Sequence, residues 1–256
     1  MSFSTDSDTM HIINTLEAIL KQLLSKNSIF RFFSLLITNS IIAFILTPQI
    51  SRSFSTDQID NHHMVEKIHS NDTSIKKNVL QLAIKARECA IKKGLNPKND
   101  IITIIDYSLP SAQERLFIID LNKGEVMYSL YTAHGAGSGN NYADRFSDQP
   151  QSHQSSLGVF LTGETYQGRH GTSLSLIGME KNFNANAYKR RLVIHAANYV
   201  SADFVKKHGR LGRSHGCPAL DPKYTKEVIE KIKSGTLLVN YYPDPRWINQ
   251  SEYLNC

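Results

Sequence analysis

Ile101-Ile102-Thr103-Ile104-Ile105-Asp106, Arg115-Leu116-Phe117-Ile118-Ile119-Asp120-Leu121 and Glu125-Val126-Met127-Tyr128-Ser129-Leu130-Tyr131-Thr132 are the stretches that decide the fold. Each is short and rich in β-branched and aromatic residues. Turn formers separate them: Ser108-Leu109-Pro110-Ser111 after the first, Asn122-Lys123-Gly124 after the second. Apolar runs this short, closed by such residues, read as strands rather than helices. Further apolar or alternating runs follow at Leu157–Thr162, Ser173–Gly178, Arg191–His195 and Thr236–Tyr242. Two segments have helical spacing instead. Thr73 or Ser74 caps the first, in which Val79, Leu82, Ala83, Ala86, Cys89 and Ala90 recur on one face before Gly94 and Pro97 close it. Asp221-Pro222 opens the second, with proline at the first helical position, and it runs through Lys233 with Gly235 past its end. The expectation is a mainly β domain over residues 98–242, led by a helical segment at 73–97, with a polar linker at 51–72 and a loose tail at 243–256.

The 256 residues allow one good-sized domain with an appendage, and 41% hydrophobic content is ordinary for a globular protein. A net charge of +6 suggests attraction to polyanions, either cell-wall polymers or lipid headgroups. No nucleic-acid reading motif accompanies it, because the Lys and Arg residues are scattered, so nucleic acid is not an expected partner. Residues 1–50 form a separate region. Phe32 to Leu46 carries no charge, and the basic residues Lys21, Lys26 and Arg31 lie only on its N-terminal side. That is the layout of a secretory signal or a signal-anchor, so residues 29–46 are expected to direct export and to contact the membrane if retained. The uncharged stretch is shorter than the ~20 residues of a comfortable span, and cleaved signal, anchor and buried helix all fit it. Under either of the first two readings the rest of the chain is exported to the periplasm or cell envelope.

The chemistry concentrates in Arg213-Ser214-His215-Gly216-Cys217-Pro218 and in His195, which ends the apolar run Leu192-Val193-Ile194. A thiol is a useful nucleophile only as thiolate, and an imidazole within reach is the usual means of producing it near neutral pH. Cys217 sits in basic surroundings (Lys206, Lys207, His208, Arg210, Arg213), which are expected to lower its pKa. Pro218 has no N–H, so an oxyanion donor has to come from the amides of Gly216 and Cys217. His215, two residues before the thiol, is a second candidate for base or loop orienter. With three cysteines at most one bridge can form. Cys89 lies on an apolar helical face and Cys256 is the last residue, so a bridge, if one exists, is expected between them, leaving Cys217 free. His134, His195, His215 and Cys217 are also possible zinc ligands, but no paired ligand spacing supports a site. His134-Gly135-Ala136-Gly137-Ser138-Gly139 resembles a phosphate cradle only superficially, lacking the Lys-Ser/Thr that follows in one.

These residues resemble the L,D-transpeptidases of the YkuD type, in particular the murein L,D-transpeptidase catalytic-domain branch. The resemblance rests on a histidine (His195) followed by Ser214-His215-Gly216-Cys217. Upstream it rests on Asp106-Tyr107-Ser108-Leu109-Pro110-Ser111, His134-Gly135, Ser155-Ser156-Leu157-Gly158 and Ser175-Leu176-Ile177-Gly178-Met179-Glu180. It covers roughly residues 100–240. It implies a β-rich catalytic fold and an exported enzyme that acts on peptidoglycan stem peptides without metal or organic cofactor. It also implies Cys217 as nucleophile, His195 as base, and Ala196 as the residue whose carbonyl holds the imidazole. Ser214, His215 and Gly216 shape the loop, and His134, Arg213 and Ser156 are expected to meet substrate. The expected product is a 3–3 crosslink formed through an acyl-enzyme. L,D-carboxypeptidase and lipoprotein-tethering variants of the same chemistry are alternatives, as is a catalytically silent wall-binding domain. One departure is plain: many members carry Arg or Asn two residues after the cysteine, where this chain has Ala219, so Arg213 or Arg210 is expected to compensate.

Overall fold

The strands form where the sequence stacks β-branched and aromatic residues, and their two-residue period sorts the side chains onto two faces. In this computed structural model, which describes residues 61–168 and 171–256, β1 (Ile101–Asp106), β2 (Leu116–Asp120), β3 (Glu125–Leu130), β4 (Gly158–Gly168), β5 (Gly171–Gly178), β6 (Val193–Ala196), β7 (Ala219–Leu220) and β8 (Leu237–Tyr241) make one sheet. Its order is β3-β2-β1-β8-β4-β5-β6-β7. β1 and β8 run parallel at the centre, as do β6 and β7 at one edge; the other pairings are antiparallel. The central strands are buried on both faces, which is why they read as nearly unbroken apolar runs.

Ile102, Ile104, Phe117, Ile119, Val159, Leu237 and Val239 point to one face, against helices α1 (residues 61–71) and α2 (Lys77–Lys92). Ile105, Leu116, Ile118, Phe160, Leu174 and Leu238 point to the other, against Val228, Ile229 and Ile232 of α4 (Pro222–Ile232). Asp221 caps α4 by accepting the Lys223 N–H at 2.8 Å, with Pro222 in the first turn. The mainly β expectation is met, and the first strand lies at the expected residues.

Several local expectations differ. Part of the stretch read as linker is helical: α1 buries Val65 and Ile68 in the core. Neither Thr73 nor Ser74 caps α2, which begins at Lys77. Ser74 donates its N–H to Asp72 Oδ1 at 2.8 Å in a turn between the two helices. A short helix, α3 (Ala202–His208), is capped by Ser201 and closed by Gly209 in the left-handed region, with no residue buried.

The tail is anchored rather than loose. α5 (Pro245–Gln250) buries Trp247 fully, and its indole N–H donates to Glu180 Oε2 at 3.1 Å. Cys256 is bridged to Cys89 of α2, with a Cα–Cα distance of 5.6 Å, and Cys217 is the free thiol. The 29–46 stretch lies outside the described residues. Among the described residues no helix is long and apolar enough to cross a membrane.

Candidate active site

β7 is only two residues long, and two extended segments hold it from either side. Ala219 pairs with Ala133 in one direction and with His195 of β6 in the other. The loop before β7, residues 213–218, is stacked on residues 134–136 and 153–155. Ser214 N–H donates to His134 O at 2.9 Å and Ala136 N–H to Ser214 O at 2.8 Å. Ser155 Oγ accepts from Gly135 N–H and donates to Gly216 O, both at 3.1 Å, so one hydroxyl ties the three segments together. The packing leaves no space for side chains. A Cβ on Gly135 would lie 2.3 Å from His153 O. Gly216 has φ +125°, and a Cβ there would lie 2.8 Å from Gln154 O and 3.1 Å from Arg190 Nη2. Ser214 shapes the turn itself: its Oγ accepts the Gly216 N–H at 3.0 Å and donates to Cys217 O at 2.6 Å.

The loop leaves Cys217 half-buried beside β6, with its thiol directed at Arg191 O at 3.7 Å. Burial pushes the Cys217 thiol up from its ordinary value; the Val193 N–H and the Arg190 guanidinium pull the other way and only partly offset it. This corrects the expectation of a thiol lowered by Lys206, Lys207, His208, Arg210 and Arg213: desolvation is the larger effect, and the cation that acts on the sulfur is Arg190. His195, at the end of β6, donates its backbone N–H to Pro218 O, one residue past the thiol. Its Nδ1 lies 2.9 Å from Ala196 O. A carbonyl can only accept, so Nδ1 carries the proton and Nε2 the lone pair of the neutral ring.

The other site residues fall into two groups. His215 is exposed, its ring stacked on that of His153 with centroids 4.2 Å apart, so it braces the 153–155 segment. Arg213 is exposed and donates to Gly139 O at 3.1 Å. His134 and Ser156, expected to face substrate, are instead fully buried. His134 Nδ1 lies 2.7 Å from Arg115 Nη2. Burial and that cation push the ring down to about 3, so it stays neutral. Ser156 Oγ donates to Ser147 O and accepts from Arg190 Nη1 at 2.6 Å.

Arg190 is the residue that sequence reasoning missed. It donates to Ser147 O, Ser156 Oγ, Ser152 Oγ and Gln154 O, clasping the 147–156 segment against the Gly216-Cys217 turn. No local signal marked it, since its partners, two backbone carbonyls and two serine hydroxyls, lie 34–43 positions away in sequence. Among the described residues no three His, Cys, Asp or Glu side chains converge to hold a metal ion.

Residues 71–241 match the L,D-transpeptidase catalytic domain family. The chain belongs to that family. No curated protein sequence matches it. Among solved structures it is similar to an L,D-transpeptidase from Mycobacterium smegmatis, at 13% identity and a TM-score of 0.35 over 56% of this chain and 59% of that one. It is also similar to an L,D-transpeptidase from Xylanimonas cellulosilytica, at 16% identity and a TM-score of 0.34 over 60% and 68%. The chain thus spans somewhat less than two thirds of the mycobacterial protein. Within the family resemblance, the place two residues after the cysteine is Ala219, fully buried in a small cluster with Ala133, Ala197, Val200 and Leu211. Of the two arginines expected to compensate, Arg213 Nη1 donates to Gly139 O. Arg210 Nη1 donates to Leu211 O, whereas Arg190 reaches the turn from a different element.

Proposed function

We propose that the chain is a cysteine acyltransferase of peptidoglycan stem peptides, forming 3–3 crosslinks through an acyl-enzyme on Cys217. The observation that carries this reading is the His195 ring, whose Nδ1 is held by a carbonyl on the strand in register with the residues just past the thiol. Its Nε2 is the site for the Cys217 proton. Because burial keeps the resting thiol protonated, proton transfer accompanies attack instead of preceding it.

Sγ attacks the carbonyl of the third stem residue as its proton passes to His195 Nε2. The Gly216 N–H is committed to Ser214 Oγ, so the Cys217 N–H is the loop amide that receives the developing oxyanion. The C–N bond to the terminal D-Ala breaks, its amine takes the proton from His195, and a thioester remains. An acceptor amine from a second stem then attacks the thioester carbon and gives a proton to His195. The C–S bond breaks and the thiol is restored. Arg190 holds the turn and supplies positive charge to the sulfur. The Cys89–Cys256 bridge supports an oxidising, exported location.

Intact-mass measurement of the acyl-enzyme with a donor tetrapeptide or a carbapenem tests the reading. An adduct forms on the unchanged protein and is absent in Cys217→Ala; an adduct that persists in that variant overturns the assignment. Products from isolated sacculi separate the acceptors: a 3–3 link reports a stem amine, a trimmed tripeptide reports water.

A further inference from the structure

Among the described residues, five large apolar side chains stand exposed, and three of them, Tyr166, Ile177 and Tyr188, line a single cleft of ≈ 890 Å³. Tyr188 is 78% exposed. Scattered apolar residues on a surface need no explanation, but several gathered in one concavity mark a binding site. The cleft carries two cations, Lys189 and Arg191, and one carboxylate, Glu164. Its near wall is the thiol's own neighbour: Arg191 lines the cleft, and the Arg191 carbonyl receives the Cys217 thiol. Tyr166 rises from β4, and the ladder places Thr165 beside Leu174 and Leu174 beside Ile194 of β6. Neighbouring strands lie about 4.8 Å apart, so this rim stands roughly 10 Å from β6, along which the thiol sits.

We infer that this cleft holds the glycan strand of the substrate, with pyranose rings stacked on Tyr166 and Tyr188 while the stem peptide reaches past Arg191 to the thiol. The inference rests on the function proposed above and names where the non-reacting part of that substrate binds. The dimensions suit it: the attacked carbonyl is on the third stem residue, and three extended residues span about 10 Å between sugar and sulfur. The chemistry suits it as well. A pyranose presents an apolar C–H face that packs on an aromatic ring, its hydroxyls staying in water at an open rim. The excess positive charge of Lys189 and Arg191 complements the carboxylates of the stem.

The test uses the full chain with two probes: a stem-free oligomer of alternating N-acetylglucosamine and N-acetylmuramic acid, read by titration calorimetry, and a free tetrapeptide, read by intact mass. Y166A/Y188A is expected to weaken oligomer binding by about tenfold or more. Y166F/Y188F, which keeps both rings, is expected to bind the oligomer within about twofold of the unchanged chain, and neither double variant is expected to alter tetrapeptide acylation. An unchanged chain that does not bind the oligomer, or alanine variants that bind it normally, overturns the inference. So does loss, in the alanine variant only, of phosphatidylglycerol-vesicle binding or of a concentration-dependent dimer in place of oligomer binding. If the oligomer binds through the tyrosines but the tetrapeptide never acylates Cys217, the cleft assignment stands and the proposed acyltransferase does not.

Discussion

His134 and His195 occupy matching places on either side of Ala219, one following the segment that bridges it at Ala133 and the other on β6. Both rings are buried, and both lie within a few residues' reach of the Ser214–Cys217 turn. What differs is the group met by Nδ1. In His134 it faces a guanidinium, which can only donate, so Nδ1 is the acceptor and the ring has no use for a further proton. In His195 it faces a carbonyl, which can only accept, so the lone pair is moved to Nε2. One neighbouring group thus makes one imidazole a fixed structural acceptor and gives the other the Nε2 lone pair that the proposed cycle uses as its base.

The largest effect comes from breaking the second arrangement. His195→Asn is expected to slow acylation by about 10²–10⁴-fold while leaving the thermal midpoint near that of the unchanged protein, as read by intact mass and circular dichroism. Normal acylation in that variant, with loss in His134→Gln instead, would reverse the two assignments. Next is the buried cation behind His134. Arg115 also donates to Leu109 O at 2.9 Å and, through Nη2, to Thr132 O at 2.9 Å, so Arg115→Met leaves several buried acceptors without a donor. That change is expected to cost about 3–5 kcal/mol in urea unfolding, and an unaltered midpoint would contradict it.

The smallest effect concerns acid. His134 has a folded value near 3 against the ordinary 6.5. As pH falls below 6.5 the unfolded chain binds a proton that the folded chain refuses, so stability declines between about pH 6.5 and 3. By pH 5 the loss is expected to reach about 2 kcal/mol relative to pH 8, and His134→Gln should flatten that part of the profile. An identical acid slope in the two proteins would mean that the ring protonates in the folded state.

The half of this comparison that depends on sequence-local features was legible. Ser214-His215-Gly216-Cys217, the apolar run into His195 and the strands of the central sheet all announce themselves through composition and spacing. The Cys89–Cys256 pairing followed from which thiols could be spared. The other half depends on which polar groups turn toward one another across long stretches of chain. His134 carries no mark that Arg115 will sit behind it, and Arg190 lies in a run of turns far from the carbonyls it collects. The raised pKa of Cys217 went unseen because neighbouring lysines and arginines are visible in a sequence and desolvation is not. The helix at 61–71 escaped because Met64, Val65 and Ile68 are too few to set a period, and the tail because its anchor is the single buried side chain of α5, Trp247, which sets no period either.

Ala219 limits how this site can be altered. An arginine transplanted there, to copy the pattern common among related chains, would have no route to solvent: its stem would be driven into Ala133, Ala197, Val200 and Leu211. Overfilling so small a nest would spread the edge strands and carry the turn away from its imidazole. Position 219 therefore takes a larger side chain only with the nest re-carved around the newcomer, and an arginine grafted there alone is expected to fail at this edge.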